Sequence, residues 1–235
     1  MSRWLKIAGI SLIVVVVIAG VLVGWTYRTI ARSVAVLDGE IEVPGLTSTV
    51  TIERDALGVP TIRGSNRFDV ARGLGFLHAQ ERFFQMDLMR RQAAGELSEL
   101  FGAGALPADR ASRLHQFRQR ARRVVETMSE KEKMVVDAYT EGVNSGLQTL
   151  KEKPFEYVLL RMAPAPWRAE DSVLVLYAMY FVLNDDTGDR ESDLGLIEDL
   201  LPAELAAFLA PPGTEWDAPI VGSAFETPPI PGAVA

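Results

Sequence analysis

The sequence contains no cysteine. A disulfide framework, a thiolate metal site and a thiol-linked lipid are therefore excluded. Histidine is almost as scarce, with only two in 235 residues, His78 and His115. A metal site built on His78 and the nearby Glu81 alone would be incomplete. Basic residues are outnumbered, 24 against 31 acids, giving a net charge of -7 and a pI of about 5.0. A nucleic-acid partner would call for the opposite balance. Familiar catalytic signatures are also missing: there is no Gly-x-Ser-x-Gly, Ser-x-x-Lys, His-Glu-x-x-His or phosphate-binding glycine loop. Gly73-x-Gly75 is followed by His78 where a dinucleotide-binding turn has its third glycine. Those two glycines are expected to let a second helix come close.

What is present begins with an apolar N-terminus. Arg3 and Lys6 precede a stretch from Ile7 to Trp25 that carries no charge. About 20 apolar residues suffice to span a bilayer as a helix. A secretory signal peptide has a shorter apolar core, about 7–15 residues, ending at a small-residue cleavage site. We read residues 1–25 as a signal anchor, with a signal peptide as the alternative. Residues 26–47 follow as a linker.

Residues 48–210 have the pattern of a mainly α domain with a short N-terminal β-hairpin. Ser48 to Arg54 alternates, and Val59 to Arg63 follows after a turn at Asp55-Ala-Leu-Gly58. Asn66 to Gly102 is predicted helical, with Phe83, Met86, Ala93, Leu97 and Leu100 on one apolar face and Gly102 as its stop. Ala111 to Val125 is predicted as one arginine-rich helix. Ser129-Glu-Lys-Glu132 has capping-box spacing and opens the next, with Met134, Val135, Ala138 and Tyr139 as its apolar residues. Phe155 to Met162, Ser172 to Leu183, Leu194 to Leu200 and Ala203 to Leu209 complete the helices. Residues 211–235 hold six of the 13 prolines and form a tail without regular structure.

Three groups of residues stand out. Gln80, Arg82, Gln85, Asp87 and Arg90 place polar groups on a helix expected to be largely buried, where they need partners; a structural ion network is the plain reading. Met179, Tyr180, Leu183 and Asn184 end a long apolar helix, and such a stripe is ordinarily core. Asp185, Asp186, Asp189 and Glu191 follow as hard oxygen ligands of the kind calcium takes, without EF-hand spacing. Ser65 lies inside the chain after a strand and reads as a turn or helix-cap residue. His78 reads as a structural histidine and His115 as a surface one.

Four blocks then occur in order: Val50-Thr-Ile-Glu-Arg-Asp-Ala-Leu-Gly-Val-Pro-Thr-Ile-Arg-Gly64, Gly75-Phe-Leu-His-Ala-Gln-Glu-Arg-Phe-Phe-Gln-Met-Asp-Leu-Met-Arg-Arg91, Ala138-Tyr-Thr-Glu-Gly-Val-Asn144 and Trp167-x-x-Glu-Asp171. Together they resemble the small subunit of penicillin acylases, N-terminal-nucleophile hydrolases with an αββα fold. The resemblance implies an exported, periplasmic precursor that cuts itself into a small and a large subunit. The large subunit would carry the serine that attacks the N-acyl amide, so no catalytic residue is expected in this chain. It implies that Met179, Tyr180, Leu183 and Asn184 line the acyl pocket, and that Asp189 or Glu191 belongs to a structural calcium site. Where penicillin G-type enzymes carry Arg-Phe after the methionine, this chain has Val182-Leu183 or, one residue on, Leu183-Asn184, with Val182 and Leu183 aliphatic. That leaves an acyl-homoserine lactone or other lipid-amide acylase as a second possibility, and a non-catalytic, membrane-tethered helical module as a third.

Overall fold

The computed structural model describes the chain except residues 1, 2, 36, 185, 186, 224 and 233–235, and describes 3 and 5–9 by backbone alone. Contacts divide it into two units, Met1–Tyr180 and Phe181–Ala235.

The first unit opens with α1 (Arg3–Ser33). Its segment Ile10–Ser33 is 24 residues long, unburied, and long and apolar enough to cross a membrane. The hairpin follows: β1 (Thr51–Arg54) pairs antiparallel with β2 (Pro60–Arg63), Ile52 opposite Ile62. Pro60 sits at the strand end, where its missing N–H costs no ladder bond. The turn between is held by Asp55, whose carboxylate accepts from the backbone N–H of Leu57 and Val59 at 2.9 and 2.8 Å. This is the side-chain turn chemistry aspartate favours.

Helix α2 (Arg67–Ala94) is the axis of the unit. Asn66, not Ser65, is its cap: the Asn66 Oδ1 accepts from the N–H of Phe68 and Asp69. The helix stops at Gly95, earlier than the predicted Gly102. Gly95 adopts φ 69°, ψ 48°, and Glu96 N–H reaches back to the Arg91 carbonyl at 2.8 Å, the pattern of a Schellman turn. A side chain would not fit there either, since a Cβ on Gly95 would stand 2.5 Å from the Asp109 carbonyl oxygen. Short α3 (Ser98–Phe101) and a 3-10 turn (Gly102–Ala105) follow.

The arginine-rich stretch is two helices rather than one, α4 (Leu106–Arg113) and α5 (Phe117–Thr127). They are broken where Gln116 takes a left-handed conformation, φ 54°. Helix α6 (Glu130–Thr149) begins with the full capping box of Ser129 and Glu132. Its crossing with α2 is a backbone-to-backbone approach. A Cβ on Gly75 would lie 2.2 Å from the Tyr139 carbonyl oxygen, one on Gly142 2.0 Å from that of Arg72, and one on Gly146 2.4 Å from that of Phe76. Gly73 serves a different neighbour: a Cβ there would meet Val50 and Ile62 of the hairpin. Around this crossing Ala79, Phe83, Leu100, Val143, Tyr157 and Trp167 form the core, with Ala138 buried, Tyr139 half-buried and Met134 exposed on α6. Helices α7 (Phe155–Leu159) and α8 (Ala169–Leu183) complete the packing of this unit.

Within the second unit, α9 (Asp189–Leu200) starts one and a half turns before the predicted Leu194. Helix α10 (Ala203–Leu209) has the expected bounds. Beyond it the described residues form no helix or strand.

Candidate functional site

Four aspartates of the first unit, Asp69, Asp87, Asp109 and Asp171, are each no more than 2% exposed. A buried carboxylate is tolerated only when its oxygens are matched by donors. Asp87 Oδ1 accepts from Nε of Arg90 at 2.7 Å and of Arg91 at 2.9 Å, and its Oδ2 accepts from the Tyr157 hydroxyl. Arg90 continues to Asp171 and donates to the carbonyls of Ala165 and Pro166, both at 3.0 Å. Its guanidinium lies 4.8 Å from the Trp167 ring centre, a cation–π distance. Asp171 also accepts from Arg118 Nη1 at 2.5 Å and from the backbone N–H of Arg168, just ahead of α8, at 2.8 Å. Arg118 grips Glu96 through Nε and Nη2 at 3.0 and 2.5 Å. One chain of charges thus ties α2, α5, α7 and the start of α8 together.

Charge states follow from these partners. Burial pushes the Tyr157 phenol up, and the hydrogen bond it donates to Asp87 pushes it the same way. Burial opposes the charge of Arg91, but Asp87 and Glu99 outweigh it and raise its pKa. Arg118 is raised in the same manner by Glu96 and Asp171. Asp69 is held well below the carboxylate range, first by the Thr47 N–H and hydroxyl, then by Ser48 and Asn66, against the effect of burial. Burial raises Asp109, yet Ser98, the Leu97 N–H and Arg113 leave it lowered. Saturated carboxylates and arginines of this kind hold structure. Their charged atoms are engaged by partners within the fold.

Of the polar residues picked out on α2, Asp87 and Arg90 stand at the centre of this network. Gln80 is buried and donates to Thr149 Oγ1 at 3.0 Å. Arg82 and Gln85 lie on the exposed side of the helix, away from Asp87. His78 is half-buried, its Nδ1 3.0 Å from the Tyr139 hydroxyl. Burial and the charge of Arg82 lower its pKa, so the imidazole is neutral near pH 7. Tyr139 is pushed up to about 12 by burial.

The end of α8 is different. Val173, Leu174 and Ala178 face inward, while Leu176, Met179 and Tyr180 are 65%, 48% and 45% exposed. Spacing of i, i+3, i+4 puts these three on one side of the helix. They are not core, although an apolar stripe in a sequence ordinarily reads so. Leu183 ends the helix and Asn184 follows it, both exposed, as is Val182.

Asp189 and Glu191 occupy the first turn of α9, two residues apart and both exposed. Side chains two apart on a helix point to different sides, and calcium asks for six to eight oxygens. Among the described residues no third acid or histidine joins them. Asp185 and Asp186, the other two acids of this group, lie outside the described residues.

Asp69, Asp109, Tyr157 and Arg118 are not singled out by the sequence, and Asp171 enters there only within the Trp167-x-x-Glu-Asp171 block. Asp69 alone had a local signal, standing three residues after the cap Asn66.

This fold is similar to that of a chain in a thermostable penicillin G acylase from Alcaligenes faecalis, with a TM-score of 0.58 and 22% identity over 74% of this chain and 97% of that one. A penicillin amidase family model matches residues 49–224. The chain belongs to the penicillin amidase family. Among curated relatives, the penicillin acylase 2 proenzyme of Pseudomonas sp. (strain SE83) is 40% identical over 60% of this chain. An acyl-homoserine lactone acylase of Pseudomonas syringae pv. syringae is 32% identical over 76% of it. The chain spans only 18% and 22% of the lengths of these two relatives.

Proposed function

We propose that this polypeptide is the small-subunit portion of an amidohydrolase that cleaves N-acyl amides to a carboxylic acid and an amine. The helices form the outer part of an αββα N-terminal-nucleophile hydrolase. A companion polypeptide supplies the nucleophilic serine, activated by its own α-amine, and the donors that stabilise the tetrahedral oxyanion. The observation that carries this reading is the outward apolar end of α8, with Leu176, Met179 and Tyr180 exposed above a rigid charge network. Apolar groups fixed on a rigid support are what a ligand-binding wall requires. Two ratios support the subunit reading. A solved acylase chain is matched over 97% of its length, whereas the proenzyme relative is matched over 18% of its own. A helical body of this size is therefore one chain in one case and a minor part in the other.

Met179, Tyr180, Leu183 and Asn184 are assigned to the acyl side of the pocket. Aliphatic Val182 and Leu183 favour an alkyl chain over an aromatic acyl group, and the acyl-homoserine lactone acylases among the relatives give that second reading its weight. Helix α1 tethers the assembly to the membrane, with the remainder on the extracytoplasmic side.

The test is reconstitution. This chain is expressed with its companion and assayed on phenylacetyl amides, long-chain acyl amides and acyl-homoserine lactones. Hydrolysis by the assembly but not by this chain alone supports the proposal, and the preferred acyl group chooses between the two substrate readings. Amide turnover by the chain alone sinks the subunit assignment. An assembly inert on every N-acyl amide points to a non-catalytic tethered module. Membrane fractionation with and without residues 3–33 tests the tether.

A further inference from the structure

Between α4 and α5 lies Gln116, which with Arg161 is one of two non-glycine residues at positive φ among the described residues. Gln116 holds φ 54°, ψ 33° without being glycine, a conformation that costs an ordinary residue about 1–2 kcal/mol. Gln116 is itself exposed, so packing of its own side chain is not what holds it there. The consequence lies on either side of it. In a continuous helix His115 and Phe117, two apart, would point to different sides. Here their rings stack, centroids 5.0 Å apart and planes at 27°. Together they meet the exposed end of α8: Phe117 lies 4.8 Å from Tyr177 and 5.7 Å from Tyr180, and His115 lies 5.4 Å edge-on to Tyr180. Phe117 is buried and Tyr180 is half open. The Arg118–Asp171 pair one residue further on fixes the same loop against the same helix.

We infer that His115 and Phe117 are positioning residues that set the acyl specificity of the site by holding the Tyr180 ring. This rests on the reading of Tyr180 as pocket lining. The imidazole and the phenyl ring form a two-sided rest. With them in place the Tyr180 ring has one orientation, and the width of the acyl channel beside Met179 is fixed. Without them the ring rotates, the channel widens, and the preferred acyl group loses contact.

The experiment uses the assembled enzyme and a series of acyl amides from acetyl to dodecanoyl with phenylacetyl added. Four variants are compared: His115→Ala, His115→Phe, Tyr180→Ala and the double His115→Ala/Tyr180→Ala. His115→Ala is expected to raise KM for the preferred acyl group about two- to tenfold, the worth of a lost ring contact, and to shift the preference toward bulkier groups with kcat nearly unchanged. His115→Phe restores the original preference. In the Tyr180→Ala background the loss of His115 has no further effect, because the residue it acts through is gone. If Tyr180→Ala alters acyl preference and His115→Ala does not, the positioning role is overturned while the pocket reading stands. If neither alters it, the pocket reading fails and takes this inference with it. An equal fall in kcat for all acyl groups, with a lowered melting temperature, assigns His115 a purely structural role and also overturns the inference.

Discussion

Helices α2 and α8 invert what their compositions suggest. Helix α2 is rich in charge, yet Asp69, Arg72, Gln80, Asp87, Arg90 and Arg91 are all buried in it. Helix α8 is almost wholly apolar, yet Leu176, Met179, Tyr180, Val182 and Leu183 are exposed. In α2 the burial is supported by pairing, since each carboxylate oxygen of Asp87 has a donor. In α8 the apolar groups stay exposed, although Tyr180 packs edge-on against His115 and Phe117. Polar burial supported by pairing marks a structural framework, and apolar exposure marks a surface that a partner or ligand can use.

The largest effect is expected at Asp87. Asp87→Ala leaves two arginines and a phenol buried without their acceptor, and breaking a buried pair in this way costs about 3–5 kcal/mol. Urea unfolding would show it as a fall in midpoint, with Asp87→Asn losing less because one acceptor oxygen remains. A loss under about 1 kcal/mol, less than an orphaned neutral donor ordinarily costs, would mean that the network is not what holds α2 in place.

Next in size is Gly142→Ala. Its methyl group would stand 2.0 Å from the Arg72 carbonyl oxygen, so α2 and α6 must separate, at a cost of about 1–3 kcal/mol. Gly195→Ala in α9 is the matched control, since nothing lies within 4 Å of a Cβ there. That change should be neutral or stabilise by about 0.5–1 kcal/mol through helix propensity. Equal melting temperatures for the two variants would contradict the close crossing.

These two sites also show what could be read in advance. The Gly73-x-Gly75 pair announced a close approach, because glycine inside a helical pattern needs a packing reason. The capping box at Ser129 and the bounds of α10 were equally legible, since both are fixed by neighbours in sequence. Gln116 carried no signal: no residue preference marks it for a left-handed turn, and the contacts that hold it come from α8, some 60 residues on. The same holds for Asp171. Its position suited a helix start, but its partners Arg90 and Arg118 are 81 and 53 residues away. Local chemistry was visible and long-range pairing was not. At α8 the sequence was positively misleading, because an apolar stripe says that a surface is covered without saying by which chain.

A smaller effect is expected in acid. The folded-state pKa values of Asp69 and Asp109 lie below the ordinary 3.8. A depressed carboxylate contributes stability that is complete above the unfolded value and is lost as pH falls through the folded one. Stability should therefore decline below about pH 4, near the unfolded carboxylate pKa. Asp69→Asn should be less stable at pH 7 and show a flatter acid limb. His78 adds a milder slope of the same sign. Its pKa is lowered from 6.5, so its contribution is full above that pH and fades as pH falls toward the folded value. An acid limb unchanged by Asp69→Asn would show that the Thr47 and Ser48 hydrogen bonds do not stabilise the ionised carboxylate.

The smallest stability effect should accompany the largest functional one. Leu176 is 65% exposed, so Leu176→Glu removes little packing and should change the stability of the chain, measured in mild detergent, by no more than about 0.5 kcal/mol. If α8 faces a companion polypeptide, the same glutamate is a charge in an apolar contact, where an unpaired ion costs several kcal/mol. Co-purification with the companion and amide hydrolysis should then both fail while the melting curve stays put. Asp87→Ala should behave oppositely, with large instability from within and no direct effect on the outer face. A Leu176→Glu variant that assembles and hydrolyses normally would remove the contrast, leaving the exposed side of α8 as ordinary surface.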